Sequence, residues 1–244
     1  MTQRDFPFYQ GRPVALSGPK WLVVLLSCGL GFLALLGAPR LLSDPLGSWV
    51  GAFLFAGLPL LGLRLVAGSA WRALFPRLRA RDVWIGLAFV PLNLLATALT
   101  ALLVMRISVT AANPIMVQIN EMQGLDLVLF LARTLPQLLG EELVTILPFL
   151  AIVTLCIQTL KTGRKTAIAV AWLLSALLFG ALHLPTYDWN LLQALGIIGV
   201  ARLVLTAPFV LTKSVWSSTI AHVTNDWLLF RGLALLAALK ASGG

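Results

Sequence analysis

Two glutamates and two histidines are the residues of this sequence best suited to chemistry. The chain has only two histidines, His183 and His222, and both lie in or at the end of apolar segments. The acidic pair Glu141 and Glu142 lies in another apolar segment. Ionisable groups are costly in such segments and therefore mark candidate functional sites. Hydrolysis by activated water needs a base and donors that stabilise the oxyanion, and these residue types supply both.

The spacing around the histidines predicts two helical motifs that face one cavity. Phe179 and His183 are four residues apart, so they share a face of a helix. His222 and Asp226 have the same spacing, and Asn225 can reach the same side. The sequence therefore predicts that each motif presents a pair of side chains to a common site.

The three motifs together resemble those of the CPBP family, which includes the type II CAAX prenyl endopeptidases and the Abi proteins of bacteriocin processing or immunity. The family pattern is Glu-Glu-x-x-x-Arg, then Phe-x-x-x-His, then His-x-x-x-Asn. This chain reads EELVTI at 141–146, FGALH at 179–183 and HVTND at 222–226. The resemblance covers the C-terminal half, residues 125–230, and implies an intramembrane endopeptidase of the glutamic type.

The resemblance also implies a role for each residue that matches the motifs. Glu141 would be the general base that activates water, and His183 would help to hold that water. His222 and Asp226 would bind the oxyanion, and Glu142 would be a supporting carboxylate.

One departure from the family pattern leaves Glu142 without its expected partner. Ile146 stands where the family has arginine, and isoleucine cannot pair with a carboxylate. Arg202 lies within an apolar segment, where a charge needs a partner. Our hypothesis is that Arg202 replaces the lost arginine by reaching Glu142. The alternatives are that Arg202 lines a wet cavity or snorkels, and that Arg133 is the partner.

A second departure concerns Asp226, which stands where the family more often has asparagine. An ionised aspartate only accepts hydrogen bonds and would repel an oxyanion. Three alternatives follow: Asp226 is protonated in its apolar setting, Asn225 donates instead, or Asp226 orients His222. Asn225, Phe179 and Arg202 are therefore predicted to support the substrate and the oxyanion.

The elements that must position these residues are membrane helices. Of the 244 residues, 59% are hydrophobic and 11% are charged, more apolar than soluble domains. The sequence predicts an all-α fold, a polytopic membrane bundle of about seven transmembrane helices (six to eight). An amphipathic interfacial segment, 125–139, would lead into the fourth span. The predicted spans are 21–38, 48–67, 83–105, 141–160, 166–183, 190–211 and 214–230.

The charge pattern predicts how the bundle lies in the membrane. The net charge is +9, but the basic residues form short clusters between apolar runs. This is the positive-inside pattern, so nucleic acid is not an expected partner. We expect residues 1–244 to form a single integral domain of the cell (inner or cytoplasmic) membrane, with segment 1–20 in the cytoplasm. Glu141 would start the fourth span and His183 would end the fifth, which places the site in the outer half of the bilayer.

The expected substrate is a membrane-associated protein or peptide tail, such as a C-terminal sorting tag of an exported protein. The family resemblance suggests the tag, and prenylated cytoplasmic proteins fit the topology poorly. No cofactor is expected; the alternative is zinc held by Glu141, His183 and His222, since carboxylate and imidazole suit that metal. Two other classes stay open: a catalytically silent binding or immunity protein, and a small transporter, although the sequence has no inverted repeat.

Overall fold

The apolar segments fold as helices, because a backbone inside a bilayer must satisfy its own hydrogen bonds. A computed structural model describes residues 4–242, with the backbone alone at 117, 120 and 231–242. The described residues contain no strand. The helices are α1 (Gly18–Leu41), α2 (Leu46–Ala67), α3 (Ala80–Met105), α4 (Pro114–Glu121), α5 (Gly124–Thr154), α6 (Arg164–Leu182), α7 (Gly199–Thr212) and α8 (Val215–Ser242).

Short helical turns extend or join these helices. A 3₁₀ turn, Gly68–Leu74, continues α2, and another, Leu184–Tyr187, follows α6. Wider π-helical turns extend α5 through Leu155–Thr159 and lead into α7 through Leu192–Ile198. Such π turns occur frequently at functional sites.

Six helices of the described chain are long and apolar enough to cross a membrane. They are α1, α2, α3, α5, α6 and α7, the last with the turns before it. The number lies within the predicted six to eight, so the all-α membrane bundle is confirmed. The predicted span 214–230 corresponds to α8, which is not among the six and carries the polar His222-Val-Thr-Asn-Asp226 motif.

The fourth predicted span is longer than expected. Helix α5 has 31 residues and runs through segment 125–139 without a break. Segment 125–139 therefore leads into the fourth span as one continuous helix, and the candidate span runs from Gly124 to Thr159 instead of beginning at Glu141. The reason is packing: Phe130, Thr134 and Leu138 recur every four residues and are buried, so this segment faces other helices.

Close helix contacts hold α5 at the centre of the bundle. It packs against α2, α6 and α8, and α3 packs against α7 and α8. Gly140 lets Phe55 of α2 approach closely, since a Cβ at Gly140 would lie 2.5 Å from the Phe55 ring. Gly86 has the same function between α3 and α8, where a Cβ would lie 2.5 Å from the Ser217 carbonyl oxygen. Small residues commonly allow such close contacts between membrane helices.

The N-terminal segment 4–16 closes one end of the bundle. Its apolar side chains, Phe6, Phe8, Tyr9 and Leu16, are buried in the core. Arg4 pairs with Asp82 of α3 at 2.8 Å, and Asp5 pairs with Arg164 of α6. Lys213, between α7 and α8, lies 4.2 Å from the Phe6 ring centroid. We call this the basic end, because the first turns of α3 and α6 and the α7–α8 turn meet there with their arginines and lysines.

Candidate active site

One cavity brings the predicted site residues together. It has a volume of about 410 Å³ and lies among α3, α5, α6, α7 and α8. Glu142 does not line the cavity, but it is hydrogen-bonded to His222, which does. The predicted residues that line it are Glu141, Phe179, His183, Arg202, His222, Asn225 and Asp226.

Arg202 and Glu142 form an ion pair in which both side chains are fully buried. This is the contact that the hypothesis of a replaced arginine requires. The Arg202 Nε donates to Thr206 Oγ1 at 3.2 Å, and the guanidinium carbon lies 4.8 Å from the centroid of the Phe179 ring. Arg133 lies elsewhere, with its guanidinium 5.3 Å from the Phe130 ring.

His222 is held by Glu142. The His222 Nδ1 lies 2.9 Å from Glu142 Oε1. A carboxylate accepts, so this nitrogen carries the proton and Nε2 faces the cavity. Nε2 lies 3.7 Å from Glu141 Oε2 and 3.7 Å from Asp226 Oδ2. Glu142 thus makes the orienting hydrogen bond that one alternative assigned to Asp226.

His183 is held by the backbone of its own helix. It follows the last residue of α6, and its Nδ1 lies 2.9 Å from the Phe179 carbonyl oxygen. Since a carbonyl only accepts, Nδ1 carries the proton and Nε2 keeps its lone pair. The rings of His183 and Phe179 lie 4.5 Å apart between centroids, which fixes the imidazole further.

Glu141 and Glu142 are neighbours with different surroundings. Successive side chains on a helix are about 100° apart, so Glu142 faces the core while Glu141 reaches the cavity. The Glu141 side chain is 13% exposed and accepts a hydrogen bond from Gln137 Nε2 at 3.3 Å. Glu141 also lines a second cavity of about 320 Å³, on whose wall Arg133 lies. Of the two carboxylates, Glu141 is the one that water in either cavity can reach.

Asn93 of α3 is a site residue that sequence reasoning missed. Its Nδ2 donates to Asn225 Oδ1 at 3.0 Å, and Asn225 Nδ2 donates to Asp226 Oδ1 at 3.0 Å. Asn93 therefore joins α3 to the α8 motif. It lies outside the motif-bearing half, and its only signal in the sequence was a polar asparagine in an apolar span.

Tyr187 was also missed as a site residue. It lies in the turn after His183, is buried, and lines the same cavity. Its hydroxyl accepts a hydrogen bond from Asn113 Nδ2 at 3.3 Å. Burial raises the pKa of the Tyr187 phenol, so the hydroxyl stays protonated at neutral pH and is a donor within the cavity.

Residues 123–228 match the model of the Rce1-like family, the type II CAAX prenyl endopeptidases. Through this segment the chain is similar to that family. The match begins at α5 and contains all three motifs, so the family resemblance of the sequence is confirmed. No curated protein and no solved structure matches the chain. The similarity to the Rce1-like family supports the interpretation of this chain as a membrane-embedded protease. Helices α1 to α4 lie outside the matched segment.

Proposed function

We propose that this protein is an intramembrane endopeptidase that hydrolyses a peptide bond with water activated by Glu141. The observation that carries the proposal is the division between the two glutamates. Glu142 is bonded to Arg202 and His222, whereas Glu141 faces the cavity with its carboxylate beside His222 Nε2. A general base must reach the proton that it removes, and Glu141 is placed to do so.

The first chemical step uses Glu141 and His183. A water molecule held between Glu141 and the lone pair of His183 Nε2 gives a proton to the Glu141 carboxylate. The water oxygen forms a bond to the carbonyl carbon of the peptide, and the carbonyl π electrons move to its oxygen. His183 Nδ1 donates to the Phe179 carbonyl oxygen, and this hydrogen bond keeps His183 in the tautomer whose Nε2 accepts from water.

The second step uses His222 as the donor to the oxyanion. With protons on both nitrogens, His222 donates from Nδ1 to Glu142 and from Nε2 into the cavity. Asp226, one turn further along α8, lies 3.7 Å from His222 Nε2 and stabilises the positive charge of the imidazolium. Asn225 donates a hydrogen bond to Asp226. Glu141 then returns its proton to the leaving nitrogen and the C–N bond breaks. The carbonyl re-forms as the nitrogen leaves, and the products are a carboxylic acid and an amine, which become a carboxylate and an ammonium group by proton exchange.

We propose that the reaction needs no metal. Glu141, His183 and His222 would hold a zinc ion if one took part. Among residues 4–242, no three His, Cys, Asp or Glu side chains form a group that could hold a metal ion. Cleavage is therefore expected to continue after dialysis against a chelator. Loss of cleavage that added zinc restores would replace this mechanism with the metal-dependent alternative.

We propose that the basic end lies in the cytoplasm and that the substrate enters from the opposite side of the inner membrane. The positive-inside rule supports this orientation. Asn113, Thr186 and Tyr187 come from connections at the other end and line the cavity. His183, at the outer end of α6, supports a site in the outer half of the bilayer; Glu141 does not, because α5 begins at Gly124. A C-terminal sorting tag of an exported protein is the substrate that we propose.

The test compares membrane-protein termini in cells that carry the native chain or the Glu141→Ala variant at equal expression. The matched control is Glu121→Ala, which removes an exposed carboxylate of α4 outside the cavity. New termini are expected with the native chain and the control, and not with Glu141→Ala. Identical termini in all three, with folded and abundant protein, would favour the silent binding protein.

A further inference from the structure

The wall of the cavity formed by α3 carries two polar groups that the proposed chemistry does not use. Asn93 and Thr97 both line the cavity and are four residues apart on one face of α3. Asn93 is 1% exposed. Both residues lie outside the segment that matches the Rce1-like family.

The hydrogen bonds of the α8 motif fix the orientation of the Asn93 side chain. The carboxylate of Asp226 accepts, so the Asn225 amide turns its nitrogen to Asp226 and its oxygen to α3. Asn93 must then present its own nitrogen to Asn225. This leaves the Asn93 Oδ1 on the other side of the amide.

Two buried oxygens of α3 are left without partners. Within residues 4–242, neither Asn93 Oδ1 nor Thr97 Oγ1 has a hydrogen-bond partner. Thr100, one turn away from Thr97, shows the usual alternative, since its hydroxyl donates to the Ala96 carbonyl at 2.7 Å. A buried polar atom without a partner is costly and calls for an explanation.

The spacing of the two oxygens suits an extended peptide. Residues four apart on a helix are separated by about 6 Å along its axis. In an extended chain, alternate N–H groups point to the same side and recur every ~6.6–6.8 Å. We propose that Asn93 Oδ1 and Thr97 Oγ1 form a peptide rail, a subsite that accepts hydrogen bonds from two alternate backbone N–H groups of an extended substrate.

The rail rests on the proposed function and adds how the substrate is bound. A substrate helix must unwind before its peptide bond is cleaved, and its freed N–H groups then need partners at membrane depth. Asn93 and Thr97 supply acceptors for those groups opposite Glu141. Because the rail contacts backbone atoms, it selects an unwound segment and not a side-chain sequence.

The test uses two peptides and the full-length Glu141→Gln chain in detergent micelles, which cannot cleave by the proposed mechanism. The probes are acetyl-tetraleucine amide and the same peptide with every backbone N–H methylated. Nuclear magnetic resonance follows the side-chain amide signal of Asn93, assigned by comparison with Asn93→Ser. The unmethylated peptide is expected to shift this signal and the methylated peptide is not. Equal shifts, or no shift at the solubility limit, would overturn the rail.

Affinity for acetyl-tetraleucine amide gives the second measurement. Thr97→Val removes the hydroxyl at nearly constant volume and is expected to weaken binding roughly two- to tenfold, as for one lost hydrogen bond. Thr97→Ser keeps the hydroxyl, and Thr100→Val removes one that already has a partner; both should bind as the parent chain does. Equal affinity for Thr97→Val would count against the rail. If the peptide binds through Asn93 and Thr97 but the native chain produces no new termini, the protein binds peptides without cleaving them. The rail and the proposed function can therefore fail separately.

Discussion

The ion pair at the centre of the bundle and the pair at its basic end share a chemistry and differ in surroundings. Arg202 and Glu142 are fully buried, whereas the Arg164 and Asp5 side chains are 49% and 47% exposed. Exposed pairs contribute about 0–1 kcal/mol, because water screens them and two long side chains must be ordered. Burying an ion pair costs several kcal/mol of desolvation per ion. Removing one partner is strongly destabilising, because the other charge is left buried without a counter-charge.

This difference indicates what each pair does. The basic end gathers charges that the positive-inside rule places there, and its pairs fasten the N-terminal segment to α3 and α6. The central pair is not required simply to hold the helices together, since apolar residues of similar volume often give equal stability. Its benefit is the fixed position of Glu142, which in turn holds His222 with its Nε2 facing Glu141.

The largest expected effect comes from the loss of one partner of the central pair. Arg202→Met leaves Glu142 buried and unpaired, so we expect the free energy of unfolding to fall by about 3–5 kcal/mol. Glu142→Leu combined with Arg202→Met should regain most of that stability but no cleavage, because His222 loses its anchor. Denaturant unfolding in detergent measures the first effect, and the appearance of new termini measures the second.

A relocated arginine tests whether the position of the charge matters. Ile146 is one turn from Glu142 on α5 and is fully buried. The variant Ile146→Arg with Arg202→Leu should retain activity if either site can hold the arginine that Glu142 needs. A folded but inactive double variant would count against the hypothesis that Arg202 replaces the arginine missing at Ile146.

Both the helical membrane bundle and the residues that meet in its cavity could be named from the sequence, for different physical reasons. Three motifs in apolar segments were enough to name seven residues that the structure brings together. The Arg202–Glu142 contact followed from charge balance, because an unpaired charge within a membrane helix is costly. The sequence could name these residues because their placement depends on local spacing and on the energy of buried charge.

The parts that sequence did not predict depend on contacts between distant helices. Segment 125–139 contains polar residues that suggested the membrane interface, and only the structure shows that α5 begins at Gly124 and buries Phe130, Thr134 and Leu138. Asn93 has no motif to mark it, and its role depends on Asn225, 132 positions away. Burial of the N-terminal segment likewise requires the assembled ends of the helices.

A smaller effect is expected from packing beside the site. Gly140→Ala places a methyl group 2.5 Å from the Phe55 ring, so α2 and α5 must move apart, at a cost of about 1–3 kcal/mol. The matched control is Gly57→Ala on α2, where an added Cβ meets nothing within 4 Å. The control should be neutral or slightly stabilising. Equal unfolding curves for the two variants would mean that the close contact between Gly140 and Phe55 does not stabilise the packing of α2 against α5.

The smallest effect is expected at the basic end, and it depends on pH. Burial acts to raise the pKa of Asp5, but hydrogen bonds from Tyr9, the Phe6 N–H and Arg164 outweigh it and hold that pKa below its usual value. The folded pKa is the lower one, so the stabilisation is present above the unfolded pKa of about 3.9 and is lost as the pH falls through the folded value. Asp5→Asn should therefore lower the free energy of unfolding by about 0.2–1 kcal/mol at neutral pH, with no difference once Asp5 is protonated. Unfolding curves of both chains across that range measure this. A loss at neutral pH as large as that of Arg202→Met would remove the contrast between the two ion pairs.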